Sequence, residues 1–328
     1  IRVIDPSMTR ALTDPTEGED QETVTVTGDI TVEIKLGNEW VSNDTYAYVE
    51  EGTGGAYTFY NLSARPTAVR AYVNGGNNLL TAGTDATPNP DLSIVATTPA
   101  MQAAPTSIPA FGSGTVSDTP QGVVTIENQE YDQYTATVNM EIPVARLEVG
   151  DITHTDNGTC PFTGLTLTGV YMDHILATQG GTTVTDYYYP DVESNDIPSP
   201  ILGDLNLSTV ITSGTAFPAD GQVFAYNFFE NPGEVVEGNA NFANPVFKLC
   251  FTHTNDNYAS PRYAIIENYQ KDGQNIKLEA GHIYRITDVT LTDDNLGPRE
   301  EPDDNYIAVT VTVVEAEWTI EDITATWH

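Results

Sequence analysis

Five histidines, two cysteines and forty-seven carboxylates are the groups in this 328-residue chain that could do chemistry. His154, His174, His253, His282 and His328 lack the H-E-x-x-H and H-x3–5-H spacings that aim two imidazoles at one metal, and Cys160 and Cys250 stand far apart, so a zinc site has little to build on. Asp173-His174 offers a candidate catalytic pair, but no Gly-x-Ser-x-Gly elbow accompanies it, and such a step equally caps a turn. With this many carboxylates some pair must fall at the separation glycosidases use, so such a pair decides nothing by itself. The acidic stretch 292–305, with Asp293, Asp294, Glu300, Glu301, Asp303 and Asp304, lacks the D-x-D-x-D-G order of a calcium loop and reads as a solvated charged loop. Tyr187-Tyr188-Tyr189, between Asp186 and Asp191, suits either sugar stacking or ordinary sheet packing. Asn43, Asn61, Asn157 and Asn206 begin N-x-S/T triplets, which matter only where the source glycosylates them. No cofactor, metal or catalytic centre is expected.

The charge balance is more decisive. Twelve Lys plus Arg against forty-seven Asp plus Glu leave a net charge of −35, which repels nucleic acid and anionic lipid surfaces. The acidity is spread along the chain and 39% of residues are hydrophobic, so the composition is that of a folded protein rather than a disordered one. The length suggests two domains. No run reaches the roughly 18 apolar residues of a membrane helix, and the start at Ile1 reads as processed or engineered. Cys160 and Cys250 either pair, closing a loop whose entropy is worth about 4 kcal/mol, or are two small buried residues on separate strands.

Strands must position whatever these residues do. Val24, Val26, Ile30, Val32, Ile34 and Leu36 share one parity, and 123–126, 165–170 and 283–291 are rich in β-formers. Asn74-Gly75-Gly76-Asn77 and Asp272-Gly273 are turn chemistries. Six prolines between 84 and 120 favour extended or edge structure. Residues 11–22 are a polar, acidic tether that isolates Ile1–Ile4 from the first long strand. An all-β sandwich architecture follows. The domain boundary is placed at 134–139, dividing the chain into 1–138 and 139–328.

The end of the chain carries the most unusual pattern. Ile307, Val309, Val311 and Val313 lie on one parity, Val314, Ala316, Trp318 and Ile320 on the other, and Ile323, Ala325 and Trp327 return to the first. Side chains alternate between faces, so each parity change marks a bulge, bend or break. An apolar strand ending in an aromatic anchor needs a groove, and that groove can belong to another molecule.

Four segments resemble the fimbrillins that build type V pili on the surface of Bacteroidia. Ile1-Arg2-Val3-Ile4 followed by Ser7-Met8-Thr9-Arg10-Ala11 looks like the family's first strand and its Arg-specific processing site. Ile142-Pro143-Val144-Ala145-Arg146-Leu147-Glu148-Val149 resembles the strand that opens the second domain. Leu278-Glu279-Ala280-Gly281-His282-Ile283-Tyr284 resembles a Gly-x-x-Tyr approach to a late strand, and Ala316-Glu317-Trp318 through Trp327 resembles the closing segment.

The resemblance implies two transthyretin-like, Greek-key sandwiches in a cell-surface fimbrial subunit exported as an outer-membrane lipoprotein precursor. It implies cleavage at Arg10-Ala11, displacement of the strand containing Ile1, Val3 and Ile4, and donation of 314–328 through Val314, Ala316, Trp318, Ile320, Ile323, Ala325 and Trp327. The implied partners are other copies of the chain, related subunits, the protease and a surface ligand. Physics is consistent with cleavage as the switch, because a tethered strand outcompetes a free donor until it is cut. Tyr306–Val313 is expected to complete the chain's own sheet. The competing readings are a tip or surface adhesin that binds glycan or host protein, and a polysaccharide-acting enzyme.

Overall fold

The computed structural model describes residues 22–52, 56–74, 108–126, 128–156, 162–176, 184–185, 203–218, 222–233, 243–286, 289–298, 309–319 and 323–327. In chain order the strands are β1 (Glu22–Thr25), β2 (Thr31–Leu36), β3 (Glu39–Ser42), β4 (Val49–Glu51), β5 (Ala56–Phe59), β6 (Ala68–Val73), β7 (Ala110–Thr115), β8 (Gly122–Ile126), β9 (Gln129–Val138), β10 (Val144–Val149), β11 (Thr153–His154) and β12 (Thr166–Asp173). They continue as β13 (Ile175–Leu176), β14 (Val184–Thr185), β15 (Gly203–Val210), β16 (Phe224–Phe229), β17 (Val246–Thr252), β18 (Arg262–Lys271), β19 (Gln274–Asn275), β20 (His282–Ile286), β21 (Thr290–Leu291), β22 (Val309–Thr319) and β23 (Ile323–Trp327). A single 3-10 turn, Asp293–Asn295, is the one helical element among the described residues. The chain is all-β, as its alternation and turn chemistry required.

Two sheets enclose a first core. The sheet β3-β2-β6-β7 supplies Val32, Ile34, Val69 and Ala71, and the sheet β4-β5-β23-β9-β8 supplies Tyr57, Phe59, Ala136 and Val138. These residues recur at every second position of their strands, so each sheet turns one pleat face inward. At one side the sheets close against each other through glycine. A Cβ on Gly112 would lie 2.2 Å from the carbonyl oxygen of Asn139, and one on Gly114 would lie 2.4 Å from that of Thr137. The proline-rich stretch thus ends in an edge strand, β7, that packs with bare backbone on β9.

A larger core lies within a ten-stranded sheet that folds over on itself, with main path β15-β12-β17-β18-β22-β20-β10-β16, β1 added on β22 and β19 on β18. Leu147, Val149, Tyr226, Tyr284 and Ile286 come from one half, and Leu167, Val170, Phe247, Leu249 and Ile266 from the other. The Tyr226 hydroxyl spans the layers, donating to Asp204 Oδ2 at 2.6 Å; burial, then the Asp204 charge, holds its pKa well above the usual phenol range. Val26, Val73, Ile108, Ala110 and Phe111 also join this core, so the β6–β7 end of the smaller sandwich packs into the larger one.

Two expectations change in this fold. The alternating run from Val24 to Leu36 is not one strand: β1 pairs with β22 and β2 pairs with β3 and β6. The break comes at Gly28, whose φ of 150° and close approach to the Asn74 side chain, 2.3 Å from a notional Cβ, leave no room for another residue. The acidic loop is not wholly solvated either. Asp293 is buried, and its Oδ1 lies 2.9 Å from His154 Nε2, because β11 and β21 pair side by side and bring the two together.

Candidate strand-binding slot

Of the parity changes near the C-terminus, the first is a change of partner within the ten-stranded sheet and the second a change of sheet. Residues 309–312 of β22 run parallel to β18, with Val311 opposite Tyr269 and Thr312 opposite Gln270. From Val313 the strand runs antiparallel to β20, with Val313 opposite Ile286 and Glu317 opposite His282, while Ala316–Thr319 also pair with β1. A strand that changes partners must turn its pleat to meet a new face, and a one-residue shift of parity does this. The second change separates β22 from β23, which lies in the other sandwich.

β23 occupies an interior position. It runs parallel to β5, with Thr324, Ala325, Thr326 and Trp327 opposite Ala56, Tyr57, Thr58 and Phe59. On its other side it runs antiparallel to β9, with Ile323 opposite Val138, Ala325 opposite Ala136 and Trp327 opposite Tyr134. The register positions of Ile323, Ala325 and Trp327 are therefore level with buried Val138, Tyr57, Ala136 and Phe59. No hairpin joins β23 to either neighbour: the strands beside it end at Phe59 and Val138, far back in sequence. Without β23, β5 and β9 would face each other across a gap of about 10 Å, two strand spacings, with both ladder edges unpaired.

The slot's surroundings fit an apolar strand. Tyr57 donates to the Ile30 carbonyl at 3.4 Å. Its pKa is pushed up to about 12 by burial first, then by the carboxylates of Glu51, Asp44 and Asp29. Beside the far end of the slot Arg65 lies 5.9 Å from the Tyr134 ring and pairs with Asp118 at 2.8 Å.

Of the residues assigned to the donor, Ile323, Ala325 and Trp327 lie in β23, within the slot. Val314, Ala316 and Trp318 do not: they lie in β22, opposite Arg285, Ile283 and Val24 respectively. The chain's own pairing was expected to stop at Val313, yet the ladder with β20 continues to Glu317, and β23 begins at Ile323. Ile320 falls outside the described residues, as do Ile1, Val3, Ile4, Arg10, Ala11, Cys160, Tyr187, Tyr188, Tyr189 and His328. Cys250 is buried with Tyr171 and Tyr263, and Thr168 Oγ1 donates to its Sγ at 3.4 Å.

The Asp173-His174 step is a turn device. Asp173 Oδ1 accepts the His174 backbone N–H at 2.8 Å, and Oδ2 accepts the buried Lys248 ammonium. The Gly-x-x-Tyr approach also gains a physical reason. Gly281 takes a φ of 84° and donates its N–H to the Val144 carbonyl, while the Tyr284 hydroxyl accepts the Glu279 N–H at 2.9 Å.

Buried polar groups escaped the sequence reading to different degrees. Arg146 and Lys248 each interrupt an apolar run, which is a signal that a partner must be buried nearby. Arg146 finds Glu148 at 2.7 Å and Asn227 at 3.4 Å. His154 and Asp293 are 139 positions apart, and nothing local marks them as a pair. Among the described residues no group of three or more His, Cys, Asp or Glu is placed to hold a metal ion, and no helix is long and apolar enough to cross a membrane.

No protein-family model and no curated protein sequence matches the chain. Solved structures do. One from Bacteroides eggerthii DSM 20697, provisionally described as a cell adhesion protein, is 15% identical, covers 94% of each chain and superposes with a TM-score of 0.52. A second such protein, from Parabacteroides distasonis ATCC 8503, is 13% identical over 95% of this chain and 96% of its own, with a TM-score of 0.44. A fimbrial assembly protein from the same P. distasonis strain is 14% identical over 81% of this chain and 89% of its own, with a TM-score of 0.26. At such identities the first likeness is one of fold, shared along nearly the whole length of both chains.

Proposed function

We propose that this chain is a structural subunit of a cell-surface fimbria, exported as an outer-membrane lipoprotein precursor and polymerised by protease-triggered strand exchange. In this reading 1–138 and 139–328 form two transthyretin-like sandwiches, apart from β1, which joins the larger sheet, and β23, which joins the smaller, and the slot between β5 and β9 receives the terminal strand of the next copy. Other copies, related subunits and an Arg-specific protease are its partners, and a surface adhesin that binds glycan or host protein is the competing role.

The single observation that carries the reading is the position of β23. The last strand of the chain fills the middle of a sheet otherwise built from residues 49–138, and three residues separate it from β22. Such a strand can leave its own slot and enter an identical one. The exchange is head-to-tail, the slot of each copy filled by the end of another, and an interface of that kind propagates into a filament. In this reading cleavage at Arg10-Ala11 releases the strand holding Ile1, Val3 and Ile4 and is the trigger for the exchange.

The test is limited digestion with an Arg-specific protease followed by N-terminal sequencing and electron microscopy. The reading expects a new N-terminus at Ala11 and filaments or denaturant-resistant ladders, both lost on deletion of 320–328. A cleaved product that stays monomeric would overturn polymerisation, and resistance of Arg10 would overturn the processing site.

A further inference from the structure

Arg262, the first residue of β18, is 7% exposed and lies against two aromatic rings that also touch each other. Its guanidinium carbon lies 4.7 Å from the Phe162 ring centroid and 5.8 Å from that of Tyr258. Phe162 meets Tyr258 edge-on at 5.5 Å and His253 at 5.0 Å, so the rings form a built wall. Tyr258 itself is 46% exposed.

The oxygen partners are what Arg262 lacks. Arg65, Arg70, Arg146, Lys248, Lys277 and Arg285 all lie against carboxylates. The Arg262 side chain has neither an ion pair nor a hydrogen bond among the described residues, and its Nε is buried without a partner. In a chain with 47 acidic and 12 basic residues, a cation left only to π faces is anomalous. Stacking satisfies the face of a guanidinium, whereas its N–H donors project from the edge of the plane. That edge suits a planar, bidentate carboxylate.

We propose that this corner binds a carboxylated saccharide bearing one negative charge, with the Arg262 edge holding the carboxylate and the exposed Tyr258 ring stacking on the sugar. The long-range field makes the choice. A net charge of −35 repels acidic peptides and other polyanions much more strongly than a ligand with one carboxylate on an otherwise uncharged polar body. Tyr258 supplies a ring that is apolar on its faces and already ordered by Phe162. The site does not depend on strand exchange and is complete in the uncleaved monomer.

The experiment is calorimetric titration of the uncleaved full chain with 3′-sialyllactose and methyl glucuronide, with lactose as the neutral control and tetraglutamate as the peptide control. Both acidic sugars should bind, lactose about tenfold more weakly or not at all, and tetraglutamate not measurably. Arg262→Gln and Tyr258→Ala should each weaken sugar binding by about tenfold. Because Arg262 is buried, the half-exposed Tyr258 variant, with its melting temperature checked, keeps the test valid if Arg262→Gln fails to fold. Absence of binding by both acidic sugars, equal binding of lactose, tighter binding of tetraglutamate, or indifference to Tyr258→Ala would each overturn the proposal.

Discussion

Thr312 and Val313 are consecutive residues of one strand, yet they pair in different halves of the larger sandwich, Thr312 with Gln270 of β18 and Val313 with Ile286 of β20. The terminal segment therefore belongs in turn to both halves of one sandwich and then, as β23, to the other. The end of the chain thus contributes to both sandwiches, and its last five described residues pair in the smaller one alone.

Deleting 320–328 should open the smaller sandwich while leaving the larger core folded. Those amides of 56–59 and 134–138 that point towards β23 should lose protection from hydrogen exchange, and a dye that reports exposed apolar surface should bind. Protection in β10 and β17 should persist, and adding the deleted segment as a free peptide should restore the native pattern.

Gly114 tests the closure of that sandwich. Gly114→Ala places a methyl 2.4 Å from a backbone carbonyl, which can move only with its strand, and should cost about 2 kcal/mol in chemical denaturation. Gly122→Ala meets the flexible end of Gln133 at 3.0 Å instead and should stay within about 0.5 kcal/mol.

Much of this architecture was legible in advance because local patterns carry it. Alternation marked the strands, the Asp272-Gly273 turn appears with both residues at positive φ, and the parity changes read as bulges, bends or breaks fall where the terminal segment changes partner after Val313 and where β22 gives way to β23. Pattern alone did not reveal which sheet each piece joins. The run through Val24 and Ile34 is periodic throughout, but pairing splits it at Gly28, because partner choice depends on distant strands rather than on alternation. The extent of the ladder with β20 was hidden for the same reason: pattern alone does not show that 314–317 pair there.

The His154–Asp293 contact should matter to stability out of proportion to its size. His154→Ala leaves a buried carboxylate whose Oδ2 already lacks a partner, and it should cost about 3 kcal/mol. A double-mutant cycle with Asp293→Asn should give a coupling of about 1 kcal/mol or more.

Tyr57 predicts the behaviour of the slot in alkali. Its folded pKa of about 12 exceeds the ordinary 10, so between these values the folded protein keeps a proton that the unfolded chain releases. Stability from this residue is full below pH 10 and is lost as pH rises towards 12. The melting temperature of Tyr57→Phe should accordingly fall less steeply than that of the parent across this range.

The most direct test of the account is to follow one bond from within a chain to between chains. Thr135 and Thr326 are opposed in the β9–β23 ladder, so Thr135→Cys with Thr326→Cys, in a background lacking Cys160 and Cys250, reports which chain's terminal strand fills each slot. Before cleavage, oxidation should yield a monomer with an internal bond. After cleavage at Arg10 and assembly, the same bond should link chains into a ladder that collapses on reduction and is absent from Arg10→Ala. An internal bond that persists after complete cleavage, with no ladder, would contradict strand exchange through this slot.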